Sequence, residues 1–213
     1  MSKIPLIISA GGTASGKTTL VEAVVKMLGP EKCTVICQDW YYRDHPEKTA
    51  EELSQLNYDH PGAFEESLLV DQIKALIQNK IVFTPRYDFR THRRKPQRVE
   101  TAPAQVIILE GILALTIKEL VDLATFKIFV ETDDSIRLLR RMERDMAERG
   151  RTFEQVKQQW VETVQPMYLQ FCFPSRRFAD ITVHHGGKNP IVLQMLQKLF
   201  GEMATNGLRT MVA

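Results

Sequence analysis

Eight residues near the start of the chain, Gly11-Gly12-Thr13-Ala14-Ser15-Gly16-Lys17-Thr18, have the types and spacing of a phosphate cradle. In G-x-x-x-x-G-K-[ST] the glycines let backbone N–H groups converge on phosphate oxygens. The lysine reaches the β- and γ-phosphates and the hydroxyl ligates Mg²⁺. Thr19, the next residue, joins the same expected donor-binding set. An apolar run from Ile4 to Ala10 leads in as a short buried strand. An amphipathic run from Thr19 to Leu28 leads out and stops at Gly29-Pro30, a helix-ending pair. Strand, glycine loop and helix thus stand in the order a phosphate site needs, the positive helix end adding to the field. ATP or GTP is the expected ligand; a glycine-rich turn that binds nothing is the alternative.

Two carboxylates follow strand-like runs. Cys33–Gln38 leads to Asp39, then Trp40-Tyr41-Tyr42-Arg43. An acid at the carboxyl end of a strand faces the phosphate loop and can orient an attacking hydroxyl. Phosphoryl transfer has a loose transition state in which positioning matters most. Alone, Asp39 would read as a turn cap. The neighbouring run Val106-Ile107-Ile108-Leu109-Glu110-Gly111 ends a buried stretch in a second acid, and Mg²⁺ wants such oxygens beside a triphosphate. Glu110, with Thr18, is therefore assigned to the metal and Asp39 to the base, with Glu110 as the alternative base. Arg137, Arg140, Arg141 and Arg144 recur at helical spacing ahead of Arg149 and Arg151. One stripe could present several guanidiniums to phosphates, with Arg141, Arg144 and Arg149 favoured. Pairing to Glu143, Asp145 and Glu148 on a solvated helix is the plainer reading. The clusters Asn57-Tyr58-Asp59-His60-Pro61 and Tyr87-Asp88-Phe89-Arg90-Thr91-His92 suggest a polar, partly aromatic acceptor pocket, or packed loops.

The elements that must position these groups alternate. Strands are expected at Ile4–Ala10, Cys33–Gln38, Gln105–Leu109, Phe126–Glu131 and Asp180–His184. Helices are expected at Lys17–Leu28, Phe64–Asn79, Ile117–Ala124, Asp134–Glu148, Phe153–Leu169 and Asn189–Glu202. Such alternation predicts an α/β fold, a parallel sheet with helices on both faces, whose ligands gather at the strands' carboxyl ends. Residues 81–101 break the rhythm and read as an inserted β-hairpin with a basic turn from Thr91 to Gln97, a second wall for an acceptor. The tail from Gly201 to Ala213 is weakly patterned and expected to fray.

The 213 residues suit one α/β domain with a small appendage, with 44% hydrophobic and 25% charged side chains. A formal charge of +2 gives no argument for a nucleic-acid or anionic-membrane partner. No apolar run reaches the roughly 18 residues of a membrane span. Cys33, Cys37 and Cys172 form neither a disulfide framework nor a zinc pattern, which fits a reducing cytoplasm.

Taken together and in this order, the motifs resemble the uridine kinases (uridine–cytidine kinases), over roughly residues 4–200. Beyond the phosphate loop, the matching pieces are Gln38–Tyr42, Asn57-Tyr58-Asp59-His60-Pro61, Pro85–Phe89 with His92, and Ile108–Leu113. They continue through Arg140–Asp145, Glu148-Arg149-Gly150-Arg151, Pro166-Met167, Ala179-Asp180-Ile181 and Gly186-Gly187-Lys188-Asn189. The resemblance implies a P-loop kinase fold and ATP-dependent phosphorylation of uridine and cytidine at the 5′-hydroxyl, for pyrimidine salvage. It makes Asp39 the base, and gives the ribose hydroxyls to Asp59 and Arg141. Tyr87, His92, Arg151 and Gln159 would contact the pyrimidine, walled by Tyr42 and Tyr58. Arg144 and Arg149 would belong to a lid within residues 134–160, and Lys188 would lie near the adenine. A homotetramer, inhibited by CTP or UTP, is also implied. Two positions depart from the pattern: His184-His185 stands where Pro-Arg is usual, and Trp40 where a small residue is commoner. The former removes an arginine near the nucleotide, and the latter is expected to reshape the acceptor rim.

Rival readings carry their own marks. A kinase of the same superfamily acting on ribulose phosphate or pantothenate could recruit Arg86, Arg90, Arg93, Arg94 and Lys95 for a phosphorylated acceptor. A GTPase switch would need Asn-Lys-x-Asp, and Asn79-Lys80 is followed by Ile81-Val82. Chain length and near-neutral charge disfavour a nucleic-acid motor.

Overall fold

A computed structural model describes residues 3–184 and 187–206. Its central sheet, among the described residues, has five parallel strands in the order β2-β7-β1-β8-β9. These are β1 (Leu6–Ala10), β2 (Cys33–Cys37), β7 (Val106–Gly111), β8 (Phe126–Glu131) and β9 (Ile181–His184). Each falls within two residues of its expected span. The central pair β1 and β7 is buried from end to end, as a sheet covered on both faces requires.

Period-two alternation sends neighbouring side chains to opposite faces. Ile7, Ile108, Ile128 and Val130 pack with Leu20, Val21 and Val24 of α1 (Lys17–Leu28) and with Leu196 and Phe200 of α8 (Pro190–Asn206). Leu6, Ile8, Leu109 and Phe129 face the other way, onto α3 (Glu66–Ile77) and α4 (Lys118–Leu123). Fully burying one such aliphatic side chain stabilises the fold by about 1.5–3 kcal/mol. A short helix not expected from the sequence, α2 (Ala50–Ser54), starts at a capping box in which Thr49 and Glu52 satisfy each other's N–H groups.

Helix α5 (Asp134–Glu148) matches its expected span, whereas the helix expected over Phe153–Leu169 does not run unbroken. It begins as α6 (Phe153–Gln159), widens into a π-type turn at Trp160–Val164, tightens as α7 (Gln165–Met167), and widens again at Tyr168–Cys172. Pro166 has no N–H to give, so the regular i→i−4 ladder cannot pass through it. The tail also differs: α8 continues to Asn206, past the expected stop at Glu202. Residues 207–213 lie outside the described residues.

The inserted hairpin is two nested ladders. β3 (Val82–Thr84) pairs with β6 (Val99–Thr101), and β4 (Tyr87–Asp88) pairs with β5 (Arg93–Arg94), all antiparallel. The expected basic turn is therefore partly strand, and His92 takes the left-handed corner at φ 56°. Arg94 donates to the carbonyls of Tyr42 (2.7 Å) and Tyr41 (3.1 Å) and pairs with Glu65. Arg93 donates to the carbonyls of His45 and Lys48. The arginines of the turn thus clamp the hairpin onto the loop after β2.

Candidate active site

β1 delivers the chain into the glycine loop, and α1 begins at Lys17. Gly16 caps that helix at φ 94°, ψ 14°, a left-handed conformation in which a side chain is strained. Thr132 at the end of β8 donates to the Ser15 carbonyl at 2.9 Å and ties the loop to the sheet. A cleft of about 600 Å³ opens over the loop, lined by Ala14, Gly16, Lys17, Thr18, Thr19, Asp39, Glu110 and Lys188 among others. Gly187 lies against the first turn of α1, where a Cβ would collide with the backbone of Leu20. The segment carrying Lys188 is therefore held directly on the helix that carries Lys17 and Thr18. Gly11, Gly12 and Ser15 do not line this cleft. Gly12 backs onto the Arg137 guanidinium and the Tyr168 ring, with no room for a side chain, and Ser15 is fully buried. Thr13 also lies outside the cleft lining and accepts from Arg141 at 3.1 Å.

The two acids arrive on neighbouring strands. In the β2–β7 register Cys37 stands opposite Glu110, and Asp39 lies two residues further on, in the tight turn Gln38–Tyr41. Buried Gln38, to which sequence reasoning gave no role, accepts from the Leu113 backbone at 2.9 Å and locks that turn to the end of β7. Gly111 is required there, since a Cβ would strike the Gln38 side chain. Glu110 accepts from the Thr18 hydroxyl at 2.8 Å. Burial pushes its carboxyl above the usual range, while Lys17 and the Thr18 bond pull the other way. Asp39 Oδ1 is buried and, among the described residues, has no hydrogen-bond partner. A buried carboxylate oxygen without a partner costs free energy unless a ligand satisfies it.

A second, narrower cavity of about 60 Å³ adjoins the cleft and shares Lys17, Asp39, Phe89, Arg144 and Arg149 with it. Tyr42, Tyr58, Asp59, Tyr87, His92, Arg141, Arg151 and Gln159, all expected acceptor residues, line it together with Leu56 and Ile112. Tyr42 stacks on Phe64 (4.5 Å between centroids) and meets Tyr58 edge-on at 5.1 Å. Tyr58 in turn stacks on His92 at 4.9 Å. Burial, then the Arg151 and Arg149 charges, push the His92 imidazole down to about 4, so it is neutral at physiological pH. Burial likewise raises the Asp59 carboxyl, against the pull of Arg141. Phe89, omitted from the expected contacts although it ends the Tyr-Asp-Phe motif, lines both spaces beneath the Arg149 guanidinium (4.5 Å). Trp40 does not line either space. Arg86 covers its ring at 3.8 Å, so the departure at that position shapes the hairpin's seat rather than the acceptor rim.

The arginine stripe divides. Arg137 is fully buried, pairs with Asp134 at 2.6 Å and lies over the Tyr168 ring at 3.8 Å, beneath the glycine loop. It supports the loop from behind and reaches neither cavity. Arg140 lines the large cleft. Arg141, Arg144, Arg149 and Arg151 converge on the Asp145 carboxylate, which is fully buried. Burial alone would raise that carboxyl, but Arg144, Arg141 and Arg149 hold it below the usual range. Gln159 accepts from both Arg151 and Arg141. Sequence reasoning treated Asp145 only as a surface partner. Its position four residues after Arg141 and four before Arg149 was the available signal. His184 lies 3.9 Å from Glu131, which Arg176 holds at 2.9 Å, while His185 and Gly186 lie outside the described residues.

Thr18, Glu110 and Asp39 offer hard oxygen donors on one wall of the cleft. Among the described residues no three His, Cys, Asp or Glu side chains form a closed metal cage. One or two carboxylates beside a phosphate loop, with the remaining positions left to phosphate and water, is how Mg²⁺ is commonly held, so the donor set fits that ion.

Residues 6–192 match the family model described as "Phosphoribulokinase / Uridine kinase family". The chain is 46% identical to a uridine kinase of Lactobacillus johnsonii over 197 residues, covering 92% of this chain and 93% of that one. A uridine kinase of Halalkalibacterium halodurans is 42% identical over the same shares. Phosphoribulokinase from Rhodobacter spheroides has the same fold, with a TM-score of 0.65 at 18% identity, over 85% of this chain and 70% of that one.

Proposed function

Because the chain belongs to the phosphoribulokinase/uridine kinase family, we propose that its adjoining cavities transfer the γ-phosphoryl group of ATP to the 5′-hydroxyl of uridine. Cytidine is accepted at the same position, and UMP or CMP leaves with ADP. The observation that carries this reading is the shared wall. Lys17, Asp39, Arg144 and Arg149 line both the phosphate-loop cleft and an acceptor cavity ringed by Tyr42, Tyr58, Tyr87 and His92.

Ala14, Gly16, Lys17, Thr18 and Thr19 cradle the triphosphate, with Gly11, Gly12, Thr13 and Ser15 shaping the loop behind them; Lys17 bridges its outer phosphates, and Lys188 borders the purine. When bound, Mg²⁺ neutralises charge across the β- and γ-phosphates. Thr18 and Glu110 hold it. Asp39 orients the 5′-hydroxyl and takes its proton, which satisfies its unpartnered oxygen. Asp59 and Arg141 hold the ribose hydroxyls, and the Tyr58–His92 stack with Arg151 and Gln159 holds the base. The acceptor cavity falls below the about 300–1,000 Å³ usual for ligand sites, so a nucleoside enters only as its walls part. Arg144 and Arg149, on the lid, close over the phosphates and exclude water.

A phosphorylated sugar fits less well. Arg86, Arg90, Arg93, Arg94 and Lys95 line neither cavity, and Arg93 and Arg94 are taken up by backbone carbonyls. A homotetramer, restraint by CTP or UTP and a cytoplasmic setting complete the proposal and rest on the resemblance. The deciding assay couples ADP release to Mg-ATP with uridine, cytidine, thymidine, adenosine, ribulose 5-phosphate or no acceptor. Turnover with uridine and cytidine supports the reading. Release that is independent of acceptor, or that follows ribulose 5-phosphate, overturns it.

A further inference from the structure

The four arginines do not share the Asp145 carboxylate evenly. Oδ1 faces Arg144 at 2.8 Å and Arg149 at 3.3 Å, the pair that lines both spaces. Oδ2 faces Arg151 at 3.2 Å and Arg141 at 3.5 Å, the pair that lines the acceptor cavity alone. The residue holds the chain beyond the helix as well. Its backbone carbonyl accepts from the N–H groups of both Arg149 and Arg151, each at 3.2 Å, across the turn at Gly150. Arg141 and Arg144 also meet on one atom, the Thr13 hydroxyl.

Asp145, even with Asp39 and Asp59 facing the same cluster, does not balance four guanidiniums and Lys17, and a polyphosphate would offset the remaining positive charge. A polyphosphate drawing on Arg144 and Arg149 competes for Oδ1, and the carboxylate is a planar, rigid group. Any reorientation at Oδ1 is therefore delivered to the pair on Oδ2. We propose that Asp145 is a positioning residue that couples the two substrates: donor binding sets Arg141 and Arg151 for the nucleoside, and nucleoside binding sets Arg144 and Arg149 for the donor. By linkage the effect is reciprocal and equal in both directions. Asp145 touches neither substrate; it acts through the arginines. The inference rests on the nucleoside-kinase reading above.

The test is calorimetric titration of uridine into the intact protein with Mg²⁺, with and without a saturating, non-hydrolysable ATP analogue. The wild type is expected to bind uridine about five- to tenfold more tightly when the analogue is present, the low end of typical allosteric coupling. In Asp145→Asn that ratio falls to about one, and the same ratio is lost when uridine is saturated and the analogue is titrated. A merely structural role would lower thermal stability and weaken both ligands, yet leave the ratio intact. Arg144→Lys, at a partly exposed helical position, removes one of the two guanidiniums on Oδ1 together with its bond to Thr13, leaves the Oδ2 pair untouched and serves where Asp145→Asn does not fold; the ratio must fall there also. A wild-type ratio near one, or a ratio retained in the folded variants, overturns the coupling. Failure of the wild type to bind uridine at all overturns the nucleoside reading instead.

Discussion

The Thr18 hydroxyl donates to the Glu110 carboxylate at 2.8 Å, across 92 residues of sequence, joining the last residue of the phosphate loop to the carboxyl end of β7. Two oxygens that a magnesium ion would share are thus already held side by side. Glu110→Gln keeps the shape and one acceptor but removes the charge. The expected result is an about 10- to 100-fold rise in the Mg²⁺ concentration needed for half-maximal turnover, with uridine affinity within about twofold. An unchanged metal requirement in a Mg²⁺ titration of initial rates would take Glu110 out of the metal site.

Asp39 Oδ1 is buried without a hydrogen-bond partner among the described residues. Asp39→Asn should bind uridine about as well as the wild type and lose about 10²- to 10⁴-fold in kcat, the range of a missing general base. Near-normal kcat with intact binding would move the base elsewhere, with Glu110 as the next candidate.

His92 supplies a pH signature. Its imidazole sits at about 4, below the ordinary 6.5 of an unfolded chain. Between those values the unfolded chain binds the proton that the folded one refuses, so stability falls as the pH drops through this window and is unaffected above it. The His92 ring resonance, followed by NMR, should stay in its neutral position from pH 8 to about 5. A midpoint near 6.5 would mean that burial and the Arg151 and Arg149 charges do not act on it.

Arg137 and Arg144 lie seven residues apart on one helix and should fail differently. Arg137→Ala removes a fully buried side chain stacked on Tyr168, with an expected loss of about 2–4 kcal/mol, or roughly 5–15 °C in Tm. Arg144→Ala should leave Tm within a few degrees and lower kcat about tenfold or more. Thermal melts and initial rates on the same preparations separate the two. Equal Tm losses would erase the division of the stripe.

The sheet was legible because its strands are short apolar runs, two of which lead into acids: β2 ends two residues before Asp39, and Leu109 immediately precedes Glu110. Register then placed the two acids together, which spacing in one dimension only suggested. The fate of the arginines was not legible, because helical periodicity makes Arg137, Arg141 and Arg144 look equivalent. Which one is buried depends on Tyr168 and Gly12, distant in sequence and adjacent in space. Asp145 was misread for a related reason: an acid flanked by arginines normally sits in water. The π-type turns around Pro166 follow from a missing donor, but a repeating pattern of apolar residues cannot report it. The hairpin was visible as an insertion, while its nesting hinged on a left-handed corner at His92, a conformation residue type alone did not announce.

Among the described residues β2 pairs as a strand with β7 alone, at the edge of the sheet, whereas β7 lies between β2 and β1. The two acids therefore differ in tenure. Glu110 keeps its place until the sheet itself melts, but Asp39 depends on a five-residue edge strand and on the Gln38–Leu113 bond and Arg94 clamp that fasten its turn. Heating should silence the chemistry before it unfolds the molecule, leaving an interval in which the protein still grips nucleotide and no longer turns over.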